Sequence, residues 1–307
     1  MTLPWTVPVM QAPVGPAATP ELAAAVSEAG GLGSLGASWT EPAQLREQIR
    51  AIRRLTDRPF FVNLVLAFDH EERLELLCDE GVPIVAFSWG IERRLVERAH
   101  AAGCLVVAQA GSVGEGRAAV EAGADALIAQ GVEAGGHVEG ETPVLDLVAG
   151  VRGGVPVVAA GGIADAEGLR RARAAGAEGV VMGTRFLATP EADVHADYAE
   201  RLLAAGPDDT VLTFLFDGGW PGAAHRVLRN STYRVWEEAG SPASGLRPNE
   251  GEIVAETDGE PIARYAADEP HRSTTGDIEA MCLYAGRGVG RITTVEPAAE
   301  IVARMVS

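Results

Sequence analysis

Short apolar runs alternate with amphipathic stretches from the amino terminus to about residue 187. Eight of these runs are rich in valine, isoleucine, leucine and phenylalanine and do not alternate apolar with polar residues. Such runs are typical of strands in a parallel sheet that is covered on both faces. We therefore predict strands at residues 7–11, 32–36, 60–66, 84–88, 105–108, 126–129, 155–159 and 179–182.

The stretches between these strands carry the signals of helix ends. Thr19-Pro20-Glu21 offers a capping hydroxyl, a proline at the first helical position and an acid in the first turn. Asp165 stands in the same capping position before residues 166–175. An Ala-Gly pair closes several of the stretches, and glycine suits the left-handed residue that follows a helix. These pairs end at Gly30, Gly103, Gly123 and Gly176.

Eight strands that alternate with helices favour an α/β fold of the closed (β/α)8 type, a TIM barrel. An open, doubly wound sheet is the alternative. It is disfavoured because no G-x-G-x-x-G motif opens the first helix and the glycine-rich loops come late in the chain.

The pattern changes after Phe186. Residues 190–277 combine clustered prolines and glycines with irregular acidic loops, and helical periodicity is restricted to about 192–204 and 233–239. We predict that this segment is a smaller, mostly helical lid inserted after the eighth strand. The apolar pattern resumes at 278–284, and residues 297–305 predict a terminal helix. The expected domains are a barrel of residues 1–189 plus 278–307 and a lid of residues 190–277.

Charge and composition narrow the class of partner. The formal net charge of −18 argues against nucleic acid and anionic membranes. Cys78, Cys104 and Cys282 lie far apart without metal-ligand spacing, which indicates reduced thiols in a cytoplasmic protein. Residues 1–5 lack the basic start and apolar stretch of a secretion signal, and no apolar run could span a bilayer. We expect a cytoplasmic protein that acts on a small molecule, as a monomer or a homodimer.

Three glycine-dense loops follow predicted strands. They occupy residues 130–137, 159–163 and 182–185. In barrel enzymes, ligands bind at the carboxyl ends of the strands, and phosphate often binds after the seventh and eighth. Backbone N–H groups without neighbouring side chains can approach phosphate oxygens there, and the helix after Asp165 would add its positive end. Tight turns without a ligand are the alternative.

The segments that carry these features resemble nitronate monooxygenases, formerly called 2-nitropropane dioxygenases. The resemblance covers almost the whole barrel, and the E-A-G-G-H run is its most specific part. It implies an FMN-dependent oxidoreductase that uses dioxygen to oxidise alkyl nitronates or nitroalkanes. The matching segments are Gln11-Ala12-Pro13, residues 60–64 around Asn63, residues 130–137, residues 159–163, residues 183–186 and Tyr284-Ala285-Gly286.

The resemblance also implies site residues. His137 would be the catalytic base or an anchor for the anionic substrate, because imidazole exchanges protons near neutral pH; a structural histidine is the alternative. Arg287, His225 and Arg226 are candidates for substrate binding, and Arg287 replaces a glutamine that the family often has. The implied FMN contacts are Gln11, Ala12, Asn63, Gln109, Gln130, Gly135, Gly136, Ala160, Gly161, Gly162, Gly183 and Thr184.

Two other functions stay open. FMN-dependent NAD(P)H reductases of enoyl thioesters or quinones carry a similar loop, although Gln130 is similar to the monooxygenases. A non-catalytic flavin-binding protein would keep the glycine loops without needing His137. A metal-dependent aldolase-type barrel is disfavoured because the chain lacks clustered Asp, Glu and His at strand ends, so we expect no metal.

Overall fold

The computed structural model describes residues 3–306. Residues 1, 2 and 307 lie outside that range, so the expected absence of a secretion signal at residues 1–5 falls partly beyond the described chain. Among the helices of residues 3–306, none is both long and apolar enough to cross a membrane.

A parallel sheet of eight strands forms the centre of the molecule. The strands follow one another in chain order, and the first closes onto the second where Met10 pairs with Leu32. The structure thus confirms the predicted barrel, with each strand end within two residues of its predicted position. The barrel strands are β1 (Val9–Gln11), β2 (Gly33–Gly36), β3 (Phe60–Val65), β4 (Ile84–Ser88), β5 (Leu105–Ala110), β6 (Ala126–Gln130), β8 (Val157–Ala160) and β9 (Gly179–Met182), while β7 (Gly136–His137) lies in the loop after β6.

Helices cover the outside of the barrel, and their ends follow the predicted signals. The Thr19 hydroxyl accepts a hydrogen bond from the Leu22 N–H, and the Asp165 carboxylate accepts one from the Gly168 N–H. Gly123 closes its helix at a φ of 105°. The helices around the barrel are α1 (Pro20–Glu28), α2 (Pro42–Leu55), α3 (Glu71–Asp79), α4 (Arg93–Ala101), α5 (Val113–Ala122), α6 (Val144–Val151), α7 (Ala166–Ala175), the short α8 (Thr184–Leu187) and the terminal α11 (Ala298–Arg304).

Side chains alternate along each strand between the barrel interior and the helix layer. On β3, Phe61 belongs to the interior cluster, whereas Val62 and Leu64 pack in the layer beneath the helices. Residues two positions beyond an interior side chain therefore face the open end of the barrel. This alternation places Asn63 at that end.

The segment 190–277 differs from the mostly helical lid that we expected. It contains only two helices longer than one turn, and five strands form most of the remaining regular structure. The strands were missed because they are short, carry mixed polar and apolar residues, and pair with segments distant in sequence. The elements are α9 (Ala196–Ala204), β10 (Thr210–Thr213), β11 (His225–Leu228), α10 (Ser231–Glu238), β12 (Ile253–Thr257), β13 (Glu260–Ala263) and β14 (Thr275–Gly276).

The lid is joined directly to a barrel loop. Strand β11 pairs antiparallel with β7, so that His225 lies opposite His137. A second sheet is formed by β12 with β13 and β14. The division into residues 1–189 plus 278–307 and residues 190–277 stays a prediction.

Candidate active site

A cavity of about 500 Å³ opens at the carboxyl end of the barrel, beneath the lid. This volume is in the range of small-molecule and cofactor sites. Most of the residues predicted from the sequence line it, although their roles stay predictions. The lining includes Ala12, Asn63, Gln109, Gln130, Gly135, Gly136, His137, Ala160, Gly161, Gly162, Gly183 and Thr184.

The alternation along the strands brings three amide side chains to this cavity. Asn63, Gln109 and Gln130 each lie two positions beyond an interior residue of β3, β5 and β6. The Asn63 amide donates to the Ser88 hydroxyl at 3.2 Å. One amide from each of three strands therefore lies at the cavity wall.

Gln11 is the exception among the predicted cofactor contacts. It lies on the opposite face of β1 from Met10, which is inside the barrel. Its side chain is fully buried, donates to the Ala12 carbonyl at 2.7 Å and accepts from the Ser34 N–H at 2.8 Å. The bond from Ser34 connects β1 to β2, so the structure places Gln11 at the seam of the barrel and outside the cavity lining.

A polar network that sequence reasoning missed centres on Glu139. Its carboxylate accepts from the Gln109 amide at 3.0 Å. Its N–H donates to the Gln130 Oε1 at 3.1 Å, and the Gln130 amide donates to the His137 carbonyl at 3.1 Å. Burial raises the pKa of Glu139 to about 7, and the nearby Glu115 carboxylate adds to the rise, against the hydrogen bonds from Gln109 and the Trp89 backbone. The sequence signal for Glu139 is its position, two residues after His137 at the end of a glycine-rich loop.

The titration of Glu139 predicts a pH-dependent stability. Because its pKa is raised from 4.5 to about 7, the folded protein retains a proton that the unfolded chain releases. This difference destabilises the folded protein at high pH. The destabilisation is absent below pH 4.5, grows as the pH rises from 4.5 to about 7, and has its full size above pH 7. We expect Glu139→Gln, which keeps an acceptor for Gln109, to stabilise the apoprotein at pH 8 by up to about 3 kcal/mol and to have little effect at pH 4.5.

Urea unfolding of both proteins at the two pH values measures this difference. Glu141→Gln changes an exposed carboxyl of the same loop and is the matched control, with an expected effect within about 0.5 kcal/mol. A Glu139→Gln effect that is the same at both pH values would contradict the prediction.

Close contact between residues 286–288 and the candidate loops explains one glycine on each side of the contact. A Cβ on Gly135 would lie 2.4 Å from the backbone nitrogen of Gly286. A Cβ on Gly288 would lie 2.7 Å from the carbonyl oxygen of Gly162. Residues 286–288 therefore pack directly onto both loops, and Gly135 is required by this backbone contact in addition to any ligand. At Gly136, whose φ is +76°, a side chain would meet open space.

The glycines after β8 and β9 present donors to the cavity. Gly161 and Gly162 have φ values of +126° and +65°. Within residues 3–306, the backbone N–H groups of Gly161, Gly162 and Gly183 donate to no protein acceptor. The three glycines are half-buried and line the cavity, so their N–H groups are open to a ligand and suit the oxygens of a bound anion.

The helix that follows these loops contributes less than the sequence suggested. The Asp165 carboxylate caps the amino terminus of α7 and also pairs with Arg291 at 2.7 Å. The positive end of this helix is therefore satisfied by its own side chain, and the loop N–H groups are the donors that remain for a phosphate.

His137 lies in the cavity wall with an unsatisfied nitrogen. Its Nε2 is buried without a hydrogen-bond partner, and its ring centroid is 4.4 Å from that of Trp220. Burial lowers its pKa to about 3, and the charge of His225 contributes. The imidazole is therefore neutral near pH 7 and can accept a proton. It does not offer a positive charge to an anionic substrate in this state.

The three predicted substrate residues lie outside the cavity lining. His225 is fully buried; it accepts from the Phe216 N–H through Nε2 at 3.1 Å, so its Nδ1 donates to the Ala223 carbonyl at 3.0 Å. Arg226 donates to the Val132 carbonyl at 2.8 Å. Arg287 pairs with Asp208 at 3.6 Å, with about half of its side chain exposed.

The polar atoms of all three are therefore engaged by other protein groups: lid backbone for His225, the loop after β6 for Arg226 and a lid carboxylate for Arg287. We therefore do not include them in the proposed site. Their part in substrate binding stays an untested prediction.

The cavity also contains residues that sequence reasoning did not identify. Trp39 and Trp89 follow β2 and β4, and Trp220 comes from the lid. Trp89 has a φ of 59°, an unusual conformation for a bulky residue. Glu269 lines the cavity beside Gly15, and burial raises its pKa. The position of the two tryptophans directly after strands was the signal in the sequence.

Across residues 3–306, no three His, Cys, Asp or Glu side chains are grouped so that they could hold a metal ion. The lining of the cavity likewise contains no arginine or lysine.

Comparison with known proteins identifies relatives of this chain. A family model described as nitronate monooxygenase matches residues 2–72 and 66–307. A nitronate monooxygenase of Pseudomonas aeruginosa is 32% identical, over 97% of this chain and 95% of that protein. The structure of a nitroalkane oxidase from Streptomyces ansochromogenes superimposes with a TM-score of 0.80 at 32% identity, covering 99% of this chain and 95% of that one.

A relative with a different activity is more similar in sequence. The Mycobacterium tuberculosis protein named (3aS,4S,5R,7aS)-5-hydroxy-7a-methyl-1-oxo-octahydro-1H-indene-4-carboxyl-CoA dehydrogenase is 40% identical over 246 residues. The match covers 78% of this chain and 67% of that protein, so about a third of the relative's length lies outside the match.

Proposed function

The chain belongs to the nitronate monooxygenase family and is a flavin-dependent oxidoreductase, and we propose that it binds FMN and oxidises alkyl nitronates and nitroalkanes with dioxygen. The observation that carries the proposal is the position of His137, which lines the same cavity as the glycine loops and whose buried Nε2 has no hydrogen-bond partner in the protein.

The residues of the cavity fit FMN. The three unpaired N–H groups of Gly161, Gly162 and Gly183 suit the terminal phosphate of FMN. The amides of Asn63 and Gln109 offer hydrogen bonds to the heteroatoms of a ring system. Bound flavin would supply two-electron oxidation and reactivity toward dioxygen.

His137 would act as the base for neutral nitroalkanes. A nitroalkane must lose a proton from carbon before it becomes a nitronate, and the Nε2 of the neutral imidazole can accept that proton. Trp220 and Trp89 cover the imidazole and so restrict access of water to the proton once it is transferred. A nitronate arrives without this proton and needs only to be positioned.

The electrostatics of the cavity favour neutral substrates. The lining contains Asp268 and Glu269 and, apart from its histidines, no basic side chain, so an anionic substrate meets no permanent positive charge there. A neutral nitroalkane that is deprotonated after binding avoids this cost. We therefore propose that the enzyme accepts nitroalkanes as well as nitronates.

The relative at 40% identity supports a second candidate. It is named as a dehydrogenase of a CoA thioester, and an acyl thioester also carries an acidic proton beside an electron-withdrawing group that His137 could remove. On this alternative the natural partner of the flavin would be a nicotinamide cofactor or another acceptor in place of dioxygen.

The decisive experiment mixes the purified, FMN-loaded protein with an alkyl nitronate under anaerobic conditions. We expect rapid loss of the flavin absorbance near 450 nm, and, in air, consumption of oxygen with release of nitrite. NADH and NADPH should react slowly, because the chain carries no dinucleotide-binding motif. Rapid bleaching by NADH with an enoyl thioester or quinone as acceptor, and none by nitronate, would assign the protein to the thioester or quinone oxidoreductases instead.

A further inference from the structure

Four aromatic side chains meet at the mouth of the cavity. Trp39 lies 6.2 Å from Trp220 between ring centroids, and Trp89 lies 4.6 Å from the same ring. Phe68 packs edge-on against Trp220 at 4.8 Å. The barrel loops after β2, β3 and β4 each contribute one ring, and the lid contributes Trp220, so the cluster joins the two parts of the chain over the opening.

This aromatic cluster contacts the imidazole of His137, the proposed base. The Trp220 ring is tilted by 31° from the plane of the His137 imidazole, and Trp89 approaches the same imidazole edge-on. A substrate that approaches His137 from the cavity therefore places its substituent beside these two indoles. Three of the chain's five tryptophans line this one cavity.

Part of the cluster is exposed although it is apolar. Trp39 has 54% of its surface open to solvent. Large apolar side chains that stay exposed beside a cavity often mark a ligand surface. The loop that carries Trp220 is bounded by Gly219 and Gly222, with φ values of +88° and +80° and open space around both, so the ring has room to adjust to a substituent.

We propose that Trp39, Trp89 and Trp220 form a specificity subsite for a flat apolar substituent, an aryl or fused-ring group, on the carbon that His137 deprotonates. This subsite rests on the proposed function for the identity of the reacting group, but its preference for flat groups is a property of binding alone. Offset or edge-to-face contact with two indoles strengthens binding beyond simple burial of area, and a short alkyl chain cannot make these contacts.

The kinetic test compares the nitronates of phenylnitromethane and 1-nitropropane. We expect wild-type kcat/KM to favour the aryl substrate by about tenfold or more, mainly through KM. Trp220→Leu keeps an apolar side chain but removes the ring, and should reduce this ratio to near one, whereas Trp220→Phe should restore part of it. Trp236→Phe, outside the cavity on α10, is the matched control and should leave the ratio unchanged.

A binding test separates the subsite from the reaction. Phenylacetamide and butanamide are neutral and unreactive, and their dissociation constants are measurable from tryptophan fluorescence or flavin absorbance. If nitronates are not oxidised but phenylacetamide binds at least about tenfold more tightly than butanamide, and Trp220→Leu abolishes the difference, the subsite stands and the proposed function fails. If nitronates are oxidised with no aryl preference in either assay, the subsite is wrong and the proposed function stands.

Discussion

Replacing His137 with alanine should lower kcat/KM for neutral nitroalkanes by about 10²- to 10⁴-fold, the usual contribution of a positioned general base. The variant should still purify with flavin, because the unpaired N–H groups after β8 and β9 do not involve this side chain. The loss with preformed nitronates should be much smaller, since those substrates have no carbon proton to remove. Stopped-flow reduction of the flavin by each substrate measures both constants.

The low pKa of His137 adds a condition on pH. Burial lowers this pKa from 6.5 to about 3, so the imidazole stays neutral, and able to accept a proton, on acidification well below pH 6. Activity with nitroalkanes should therefore show no loss centred near pH 6.5 that depends on His137.

The control for His137→Ala is His100→Ala, which removes a partly exposed histidine paired with Asp125 at 2.9 Å and should be as active as wild type. Equal losses with nitroalkanes and nitronates would give His137 a role in binding or structure instead of base catalysis.

Gly183→Asp should abolish retention of FMN. The backbone of Gly183 has a φ of −104°, which any residue can adopt, and a Cβ there would contact the side chains of Val14 and Ala12 at 3.3 and 3.4 Å. A side chain therefore fits with a small shift. A carboxylate beside the phosphate would be repelled by about 4 kcal/mol per charge at 4 Å with an effective dielectric constant of 20, which corresponds to a loss in affinity of at least about a hundredfold.

Gly183→Asn is the matched control, because asparagine has the shape of aspartate without its charge. Fluorescence titration of the apoproteins with FMN gives both dissociation constants, and circular dichroism establishes that each variant is folded. We expect the aspartate variant to bind at least about a hundredfold more weakly than the asparagine variant. Equal affinities would place the phosphate away from the loop after β9.

Much of the barrel could be predicted because its signals are local. Most of the barrel strands are largely apolar runs, and several helix ends carry a cap or a glycine within a few residues, as at Thr19 and Gly123. Closure into a barrel followed from the number and alternation of these elements. The same local order indicated that His137 and the glycines after β8 and β9 follow strands, and therefore lie at one end of the barrel.

The alternation of side chains along a strand is a signal in the sequence that separates Gln11 from the barrel interior. Because Met10 faces the interior, Gln11 on the next position must face the other way, and the structure places it at the seam with β2. The short strands of the lid had a weaker signal. Sequences such as that of β11 carry arginine and histidine within a buried strand, and only pairing with distant segments reveals them as strands.

The amino-acid sequence by itself determined the barrel, the position of the glycine loops and the candidate base, since periodicity and capping act within a few residues. Only the tertiary structure decided which neighbours those residues have. Gly135 meets Gly286, Trp220 from the lid stacks on His137, and Glu139 is held by Gln109. The physical reason is that desolvation, ring contact and close backbone approach depend on distances in space between residues that can be more than a hundred positions apart in the chain.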